Sequence, residues 1–327
     1  MLHRRDVLSF MTGALALPLI GNAARAQKAL DVTTIVVGFP AGGATDTVAR
    51  LVAEGIRGSY AAAVVVQNKT GAGGQIAAVD VKEMPADGSA LLFTPAFPMV
   101  IFPHVYKDIR YDTLKDFVPV ATTHFGTLAF SIGPGVPDGV KTLQAFVAWA
   151  KKYPDRATFG APAGGAQHFT GLMFARDAGI QLQLVSYRGG GPSVVDALGG
   201  HIAAVVTPLA EVLPSAREGK LRILATTARQ RSTLAPDIPT FSELGFRKIV
   251  VQDWSGFLAP AGTPPDVVAR ANAAINAAVE SPKVREAMAT LGMEAGTQTP
   301  EAFAATVRES WERYRDIVRE SGFRAEP

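Results

Sequence analysis

The sequence predicts an α/β protein on a mostly parallel sheet, and three observations carry that expectation. Apolar, β-branched runs alternate with helical patterns, the arrangement that gives parallel strands and right-handed crossovers. Three of the strand-like runs end in glycine-rich turns that open into helices: Phe39-Pro40-Ala41-Gly42-Gly43-Ala44-Thr45-Asp46, Gly160-Ala161-Pro162-Ala163-Gly164-Gly165-Ala166-Gln167-His168, and Tyr187-Arg188-Gly189-Gly190-Gly191-Pro192-Ser193. The chain has 327 residues, 48% hydrophobic and 19% charged, enough to fill the cores of two ordinary domains.

Asp31–Val37 reads as a buried strand and Val48–Ile56 as an amphipathic helix. Between them Pro40 stiffens the turn, Gly42-Gly43 let the backbone bend, and Thr45 is placed to cap the helix. The free N–H groups of such a turn suit a carboxylate or phosphate, although a plain glycine-rich connection would look the same. Ala63–Gln67 is the second strand, Gln75–Met84 a helix, and Ala90–Thr94 the third strand, ending at Pro95. Gly71 and Gly73 fit two positions of a dinucleotide fingerprint, but Ile76 stands where the third glycine is due. Residues 98–117 read as irregular. Val118–Thr122 and Leu128–Ile132 read as extended pieces that carry the chain into a second domain.

Thr142 caps an amphipathic helix to Lys152. Ala157–Phe159 leads into the second glycine-rich turn and a helix to about Asp177. His168 falls in that helix's first turn, where the helix dipole favours neutral imidazole. Gln183–Ser186 precedes the third turn, with a helix from Ser193 to Leu198. Ile202–Val206, leading to Thr207-Pro208, and Leu221–Thr226 are further strands, and 227–240 is a surface loop. Val250–Pro260 returns the chain to the first domain. The end is helical: Asp266–Val279, Ser281–Leu291 and Pro300–Ser321. In the last of these Arg308, Arg313, Arg315 and Arg319 interleave with acids and read as a solvated face. The expected domains are 27–124 plus 253–327, and 125–252.

Residues 1–26 read as an export signal. Arg4-Arg5 precede an apolar run from Val7 to Ile20, and Ala24-Arg25-Ala26 forms an A-x-A cleavage site before Gln27. Arg4-Arg5-Asp6-Val7-Leu8 also fits the twin-arginine pattern, so that route and general secretion both stay open. Removing the segment takes Arg4, Arg5, Arg25 and Asp6 and lowers the formal charge from +3 to +1. A nearly neutral chain without a basic stripe points away from nucleic acid. With no cysteine there is no disulfide, thiol catalysis, thiolate metal site or lipid-modified cysteine. A soluble, monomeric protein in a periplasm is expected.

Nothing in the sequence assembles a catalytic centre. The histidines His3, His104, His124, His168 and His201 include no pair at metal-ligand spacing, and neither a G-x-S-x-G elbow nor a Walker loop occurs. Asp46 and Arg50, four apart on one helix, suit an ion pair. The repeated element is backbone donors at strand ends, which suits binding better than turnover. No catalytic residue, metal or cofactor is expected.

The chain resembles the periplasmic receptors of tripartite tricarboxylate transporters, the Bug family. Phe39–Arg50 looks like the family's F-P-P-G-G-x-x-D-x-x-A-R, with Ala41 at the second proline. Asn68–Gly74, Tyr111–Val120, Tyr187-Arg188-Gly189 and Trp254–Pro264 follow in order, so the resemblance spans essentially the whole chain after the signal. It implies a two-domain type II periplasmic binding protein fold, with a ligand cleft between domains. It also implies a small carboxylate ligand and delivery to the membrane subunits of such a transporter. Carried over, Phe39, Ala41, Gly42, Gly43, Ala44, Thr45 and Asp46 form the floor on one domain, flanked by Thr94, Pro95 and Ala96. Ala161, Gly164, Gly165, Ala166 and His168 close from the other, with Tyr187, Arg188, Thr207, Pro208 and Asp253 at the far end. Where the family usually offers hydroxyls in the second turn, this chain has Ala161, Pro162, Ala163 and Ala166, which favours a ligand with an apolar or aromatic body and leaves a ligand without a carboxylate open. A periplasmic sensor signalling to a membrane kinase, and a hydrolase using His168, are the competing readings.

Overall fold

The computed structural model describes residues 30–291 and 293–325. The expected export signal, residues 1–26, lies outside the described residues. The chain runs β1 (Leu30–Val37), α1 (Ala44–Ile56), β2 (Ala61–Asn68), α2 (Gln75–Lys82), β3 (Ala90–Pro95), α3 (Ala96–Val100), α4 (Phe102–Val105) and β4 (Phe117–Ile132). It continues α5 (Leu143–Lys152), β5 (Thr158–Ala161), α6 (Ala166–Ala178), β6 (Gln183–Ser186), α7 (Gly190–Leu198), β7 (Ala204–Pro208), α8 (Leu209–Arg217) and β8 (Arg222–Thr226). It ends β9 (Gln252–Pro260), α9 (Pro265–Glu280), α10 (Pro282–Thr290), β10 (Glu294–Ala295) and α11 (Pro300–Ser321).

Ten strands share one curled mixed sheet, in the order β2-β1-β3-β9-β4-β7-β5-β6, with β8 and β10 also on β4. The two halves repeat one plan. In the first, β2, β1 and β3 are parallel and β9 runs antiparallel beside β3. In the second, β6, β5 and β7 are parallel and β4 runs antiparallel beside β7. β4 belongs to both: residues from Phe117 to Thr127 pair with β9, and those from Leu128 to Ile132 pair with β7. Two register shifts interrupt its pairing with β9, one beginning at Pro119, which has no N–H to donate. The two extended pieces read from the sequence are therefore one strand.

One core is continuous through both halves, and each half adds a smaller core of its own. Val48, Ala49, Val52, Ala53 and Ile56 recur at helical spacing and bury α1 against β1, where Ile35 to Val37 are fully covered. In the second half Phe130, Phe146, Phe174 and Phe241 pack as one aromatic cluster. β9 shows why its motif has the letters it has. Trp254 is fully buried edge-on to Phe303 of α11 at 5.0 Å, and Phe257 lies 4.6 Å from Phe93. A β-carbon on Gly256 would sit 2.6 Å from the Phe303 ring, so this strand position admits only glycine without repacking.

Several local expectations change. Thr45 does not cap α1; Gly43 holds the N-cap position without a side-chain bond, because Asp46 and not Thr45 reaches back to the turn. Residues 98–117 are not wholly irregular: α3 and α4 form there, anchored by the Tyr111 hydroxyl on the Pro98 carbonyl. α7 begins at Gly190, three residues earlier than expected, and α8 follows Pro208. Thr142 does cap α5, accepting from the Ala145 N–H at 3.1 Å. Arg313 is not on a solvated face: it is half-buried and lines a groove of about 500 Å³ with Arg176, Arg229, Arg247 and Lys248, where α11 meets α6.

Candidate functional site

The first glycine-rich turn sits at the carboxyl end of β1, where open α/β sheets bind ligands. Its shape comes from Gly42, whose φ of +80° favours glycine, and from the Gly43 N–H donating to the Pro40 carbonyl at 3.3 Å. Asp46 locks it. One carboxylate oxygen accepts from the Gly42 N–H at 2.8 Å and Arg50 Nε at 2.9 Å; the other accepts from Asn68 Nδ2 at 2.8 Å. Asn68 Nδ2 also donates to the Phe39 carbonyl at 3.0 Å, tying the end of β2 to the turn. The Arg50 hydrogen bond, with those from Gly42 and Asn68, holds the Asp46 carboxyl down at about 2 against the desolvation of burial. Asp46 thus braces the floor from beneath. Residues 40–44 stay exposed, and the first-turn amides of α1 face no carbonyl of their own helix.

The second turn repeats the first in sequence and bonding. Pro162-Ala163-Gly164-Gly165-Ala166 matches Pro40-Ala41-Gly42-Gly43-Ala44 letter for letter. Gly164 has φ +75°, and the Gly165 N–H donates to the Pro162 carbonyl at 3.3 Å. His168 stands where Asp46 stands, its Nδ1 accepting from the Gly164 N–H at 3.2 Å. That bond puts the imidazole proton on Nε2 in the neutral ring. Burial pushes the His168 pKa down, so the neutral form agrees with the sequence reading, with desolvation as the cause. The imidazole lies 5.1 Å from Phe169 and 5.3 Å from Phe323, ring to ring. Phe323, just past α11, also covers Gly164, where a β-carbon would meet its ring at 2.8 Å.

A third symmetry links Thr94-Pro95 and Thr207-Pro208. Each threonine is the next-to-last residue of its strand and donates its hydroxyl to the carbonyl of the proline that ends it (2.9 and 3.3 Å), and a helix starts directly after that proline. The prolines face a shared cleft of about 360 Å³ at the junction of the two half-sheets. Of the residues singled out from the sequence, Phe39, Thr45, Pro95, Pro208 and Asp253 line it. Ala41, Gly42, Gly43 and Ala44 form the exposed crest beside Thr45, while Thr94, Ala96 and Thr207 are buried behind the prolines. Ala161, Gly164, Gly165, Ala166 and His168 are not on its walls but under Phe323 and their own lobe. The Tyr187 hydroxyl donates to Asp196 at 2.6 Å, and Arg188 is exposed.

Phe97, at the carboxyl end of β3 where the strand pattern places a ligand, also lines the cleft, but other walls were not singled out from the sequence: His124, Phe125, Gly126, Thr127, Leu209, Glu211, Ser255, Met293 and Glu294 among them. Ser255 could have been found, because it shares a face with Asp253 two residues away on a strand. The residues from His124 to Thr127 could not, because they reach the cleft through the pairing of His124 with Ser255 and Gly126 with Asp253. Burial pushes Asp253 up to about 6 and Glu211 above its ordinary value, and it holds His124 neutral, down at about 4. No group of histidines and acids able to hold a metal ion occurs among the described residues, and no helix among them is long and apolar enough to cross a membrane.

This architecture is shared with known proteins. A family model described as the tripartite tricarboxylate transporter family receptor matches residues 48–323. Protein BugT of Bordetella pertussis is 35% identical over 290 residues, covering 88% of each chain. A TctC solute binding protein from Polaromonas superposes with a TM-score of 0.79 at 27% identity, covering 88% of this chain and 98% of that one. MatC from Rhodopseudomonas palustris with bound malate gives 0.67 at 28% identity, over 88% and 98% of the two chains. R. palustris Rpa4515 with adipate gives 0.70 at 27% identity, over 89% and 97%. The chain belongs to the tripartite tricarboxylate transporter receptor family.

Proposed function

We propose that this protein is a periplasmic receptor that captures a small carboxylate in the cleft and presents it to the membrane subunits of a tripartite transporter. One observation carries the reading: an exposed helix start at the end of β1, braced from beneath by Asp46, Arg50 and Asn68, opening beside a cleft lined by both half-sheets. Relatives in this family with malate and adipate bound support the same chemistry. The carboxylate would sit on the first-turn amides of α1, with Phe39 and Phe97, 5.8 Å apart, against its apolar body.

The lobes on this reading are 27–124 plus 253–327, and 125–252, with β4 and β9 as the two crossings. Rotation about those strands would bring the second turn, Gly164 to His168, toward the first. Support comes from the change of partner along β4, between Thr127 and Leu128. α11 touches both lobes, through Phe303 on Trp254 and through Tyr314 on Phe169. The protein would act without catalysis or cofactor, as a monomer, after cleavage of residues 1–26. Export through the twin-arginine route predicts that lysine at both Arg4 and Arg5 blocks it.

The test is mass spectrometry of the acid that co-purifies from the native periplasm, followed by thermal shift with that acid. The acid raises the melting temperature of the wild type, since it binds only the folded form. Gly43→Val, whose β-carbon starts 3.3 Å from the Pro40 carbonyl, loses that rise while Lys115→Ala on the far surface keeps it. A methyl ester that binds as well as the acid would remove the carboxylate anchor from the account.

A further inference from the structure

The cleft's charge is the reverse of what a dicarboxylate needs. Its walls carry three carboxyls, Asp253, Glu211 and Glu294, and neither a lysine nor an arginine. Glu294 is spoken for: one of its oxygens accepts from Ser232 Oγ at 2.8 Å, the Thr233 N–H at 2.9 Å and Thr233 Oγ1 at 2.7 Å. Asp253 and Glu211 have neither a hydrogen-bond nor an ion-pair partner for their carboxyls among the described residues. Asp253 reaches the cleft from β9 opposite Gly126, where a β-carbon would come within 3.1 Å of the Asp253 carbonyl oxygen. Glu211 reaches it from the first turn of α8, lying against Gly190.

We propose that this receptor takes a monocarboxylate whose far end carries an ammonium or a similar cationic donor, bound by Asp253 with Glu211 beside it. The inference rests on the receptor reading above and narrows its ligand class. The two ends of the cleft are complementary to such a molecule. The α1 amides are donors only and take the carboxylate, and the unpaired carboxyls are acceptors when ionised and take the cation. A second carboxylate at that end would meet two acids with no cation to offset them.

The same groups give the inference a proton signature. Around Asp253 stand Glu211 on α8, Glu294 on β10, neutral His124 on β4 and Tyr314 on α11. Burial holds Asp253 partly protonated near pH 6, so an incoming cation expels that proton and an incoming carboxylate adds one.

The test uses three scaffold sets that differ only at the far end: 4-aminobutanoate, butanoate and succinate; 6-aminohexanoate, hexanoate and adipate; 4-(aminomethyl)benzoate, 4-methylbenzoate and terephthalate. Calorimetry at pH 7 reads affinity, and repetition at pH 6 in buffers of different ionisation enthalpy reads protons. In the set that fits, the amino acid binds at least about tenfold more tightly than the dicarboxylate, the scale of one charge-assisted hydrogen bond, and releases protons. Asp253→Asn removes that advantage, and Glu211→Gln reduces it in part. A dicarboxylate that binds as tightly as its amino partner, or an Asp253→Asn protein that still prefers the amino acid, overturns the proposal. If no set binds, the ligand class is wrong; the co-purified acid then decides the receptor reading separately.

Discussion

The two Pro-Ala-Gly-Gly-Ala turns have the same letters, the same backbone and the same closing bond, yet they are held by different chemistry. In the first, an ionised Asp46 gathers donors from Gly42, Arg50 and Asn68, and the crest stays open beside the cleft. In the second, a neutral His168 accepts from Gly164 and is walled in by Phe169 and Phe323. A helix start can be stiffened by a charge network or by aromatic packing. The charge network leaves the amides exposed to a ligand; the aromatic wall covers its turn. It follows that the first turn's brace weakens only in strong acid, whereas the second turn's weakens once pH falls below the ordinary histidine value.

Removing the brace of the first turn should have the largest effect. Asp46→Ala leaves the Gly42 N–H, Asn68 Nδ2 and Arg50 without their acceptor and should cost about 3 kcal/mol, read from the urea midpoint, with loss of ligand binding. A variant of wild-type stability would mean the network is incidental. The Asp46 pKa is lowered, so its contribution is present above the ordinary carboxylate value near 3.8 and fades as pH falls through about 2.

The two positive-φ glycines sharpen the contrast. Gly42→Ala meets nothing within 4 Å and should cost only the backbone strain, about 1 kcal/mol. Gly164→Ala carries the same strain and also runs into Phe323, so it should cost about twice as much. Adding Phe323→Ala should bring the increment for Gly164→Ala back to that of Gly42→Ala, measured as a double-mutant cycle. Additive behaviour would show that Phe323 does not cover the turn.

His168 should give the smaller, pH-dependent effect. Its pKa is depressed by burial, so the neutral ring's contribution is whole above the ordinary histidine value near 6.5 and is lost as pH falls toward the lowered pKa. His168→Gln keeps an acceptor for Gly164 but does not titrate. The wild type should lose stability relative to His168→Gln between pH 7 and 5, by up to about 1 kcal/mol for each unit of depression. Parallel pH profiles would put the imidazole in contact with solvent. Asp253 runs the other way: raised to about 6, its stabilising protonated form is complete below pH 4 and lost as pH rises through 6. Asp253→Asn should therefore raise the melting temperature of the ligand-free protein at pH 7.5 and leave it nearly unchanged at pH 4. The smallest effect belongs to Arg319→Ala on the exposed side of α11, expected within about 0.5 kcal/mol of wild type.

The sequence by itself determined the fold class, the alternation of strands and helices, and the glycine-rich turns at strand ends. Each of those is a local property: hydrophobic period, β-branching, and glycines where φ must be positive. It also carried the family, because its motifs encode contacts within short segments, as Gly42 with Asp46. Only tertiary structure decided what lines the cleft. His124, Phe125 and Gly126 reach it through register with β9, and Glu211 through the packing of α8 beside the β7 end. Tertiary structure likewise turned Asp46 from floor to brace and half-buried Arg313, because the partners that did so, Asn68 and the groove beside α6, lie far away in sequence. A carboxyl's environment is set by everything packed around it, and that is why the unpaired Asp253, plain as a letter in the chain, became informative only in the fold.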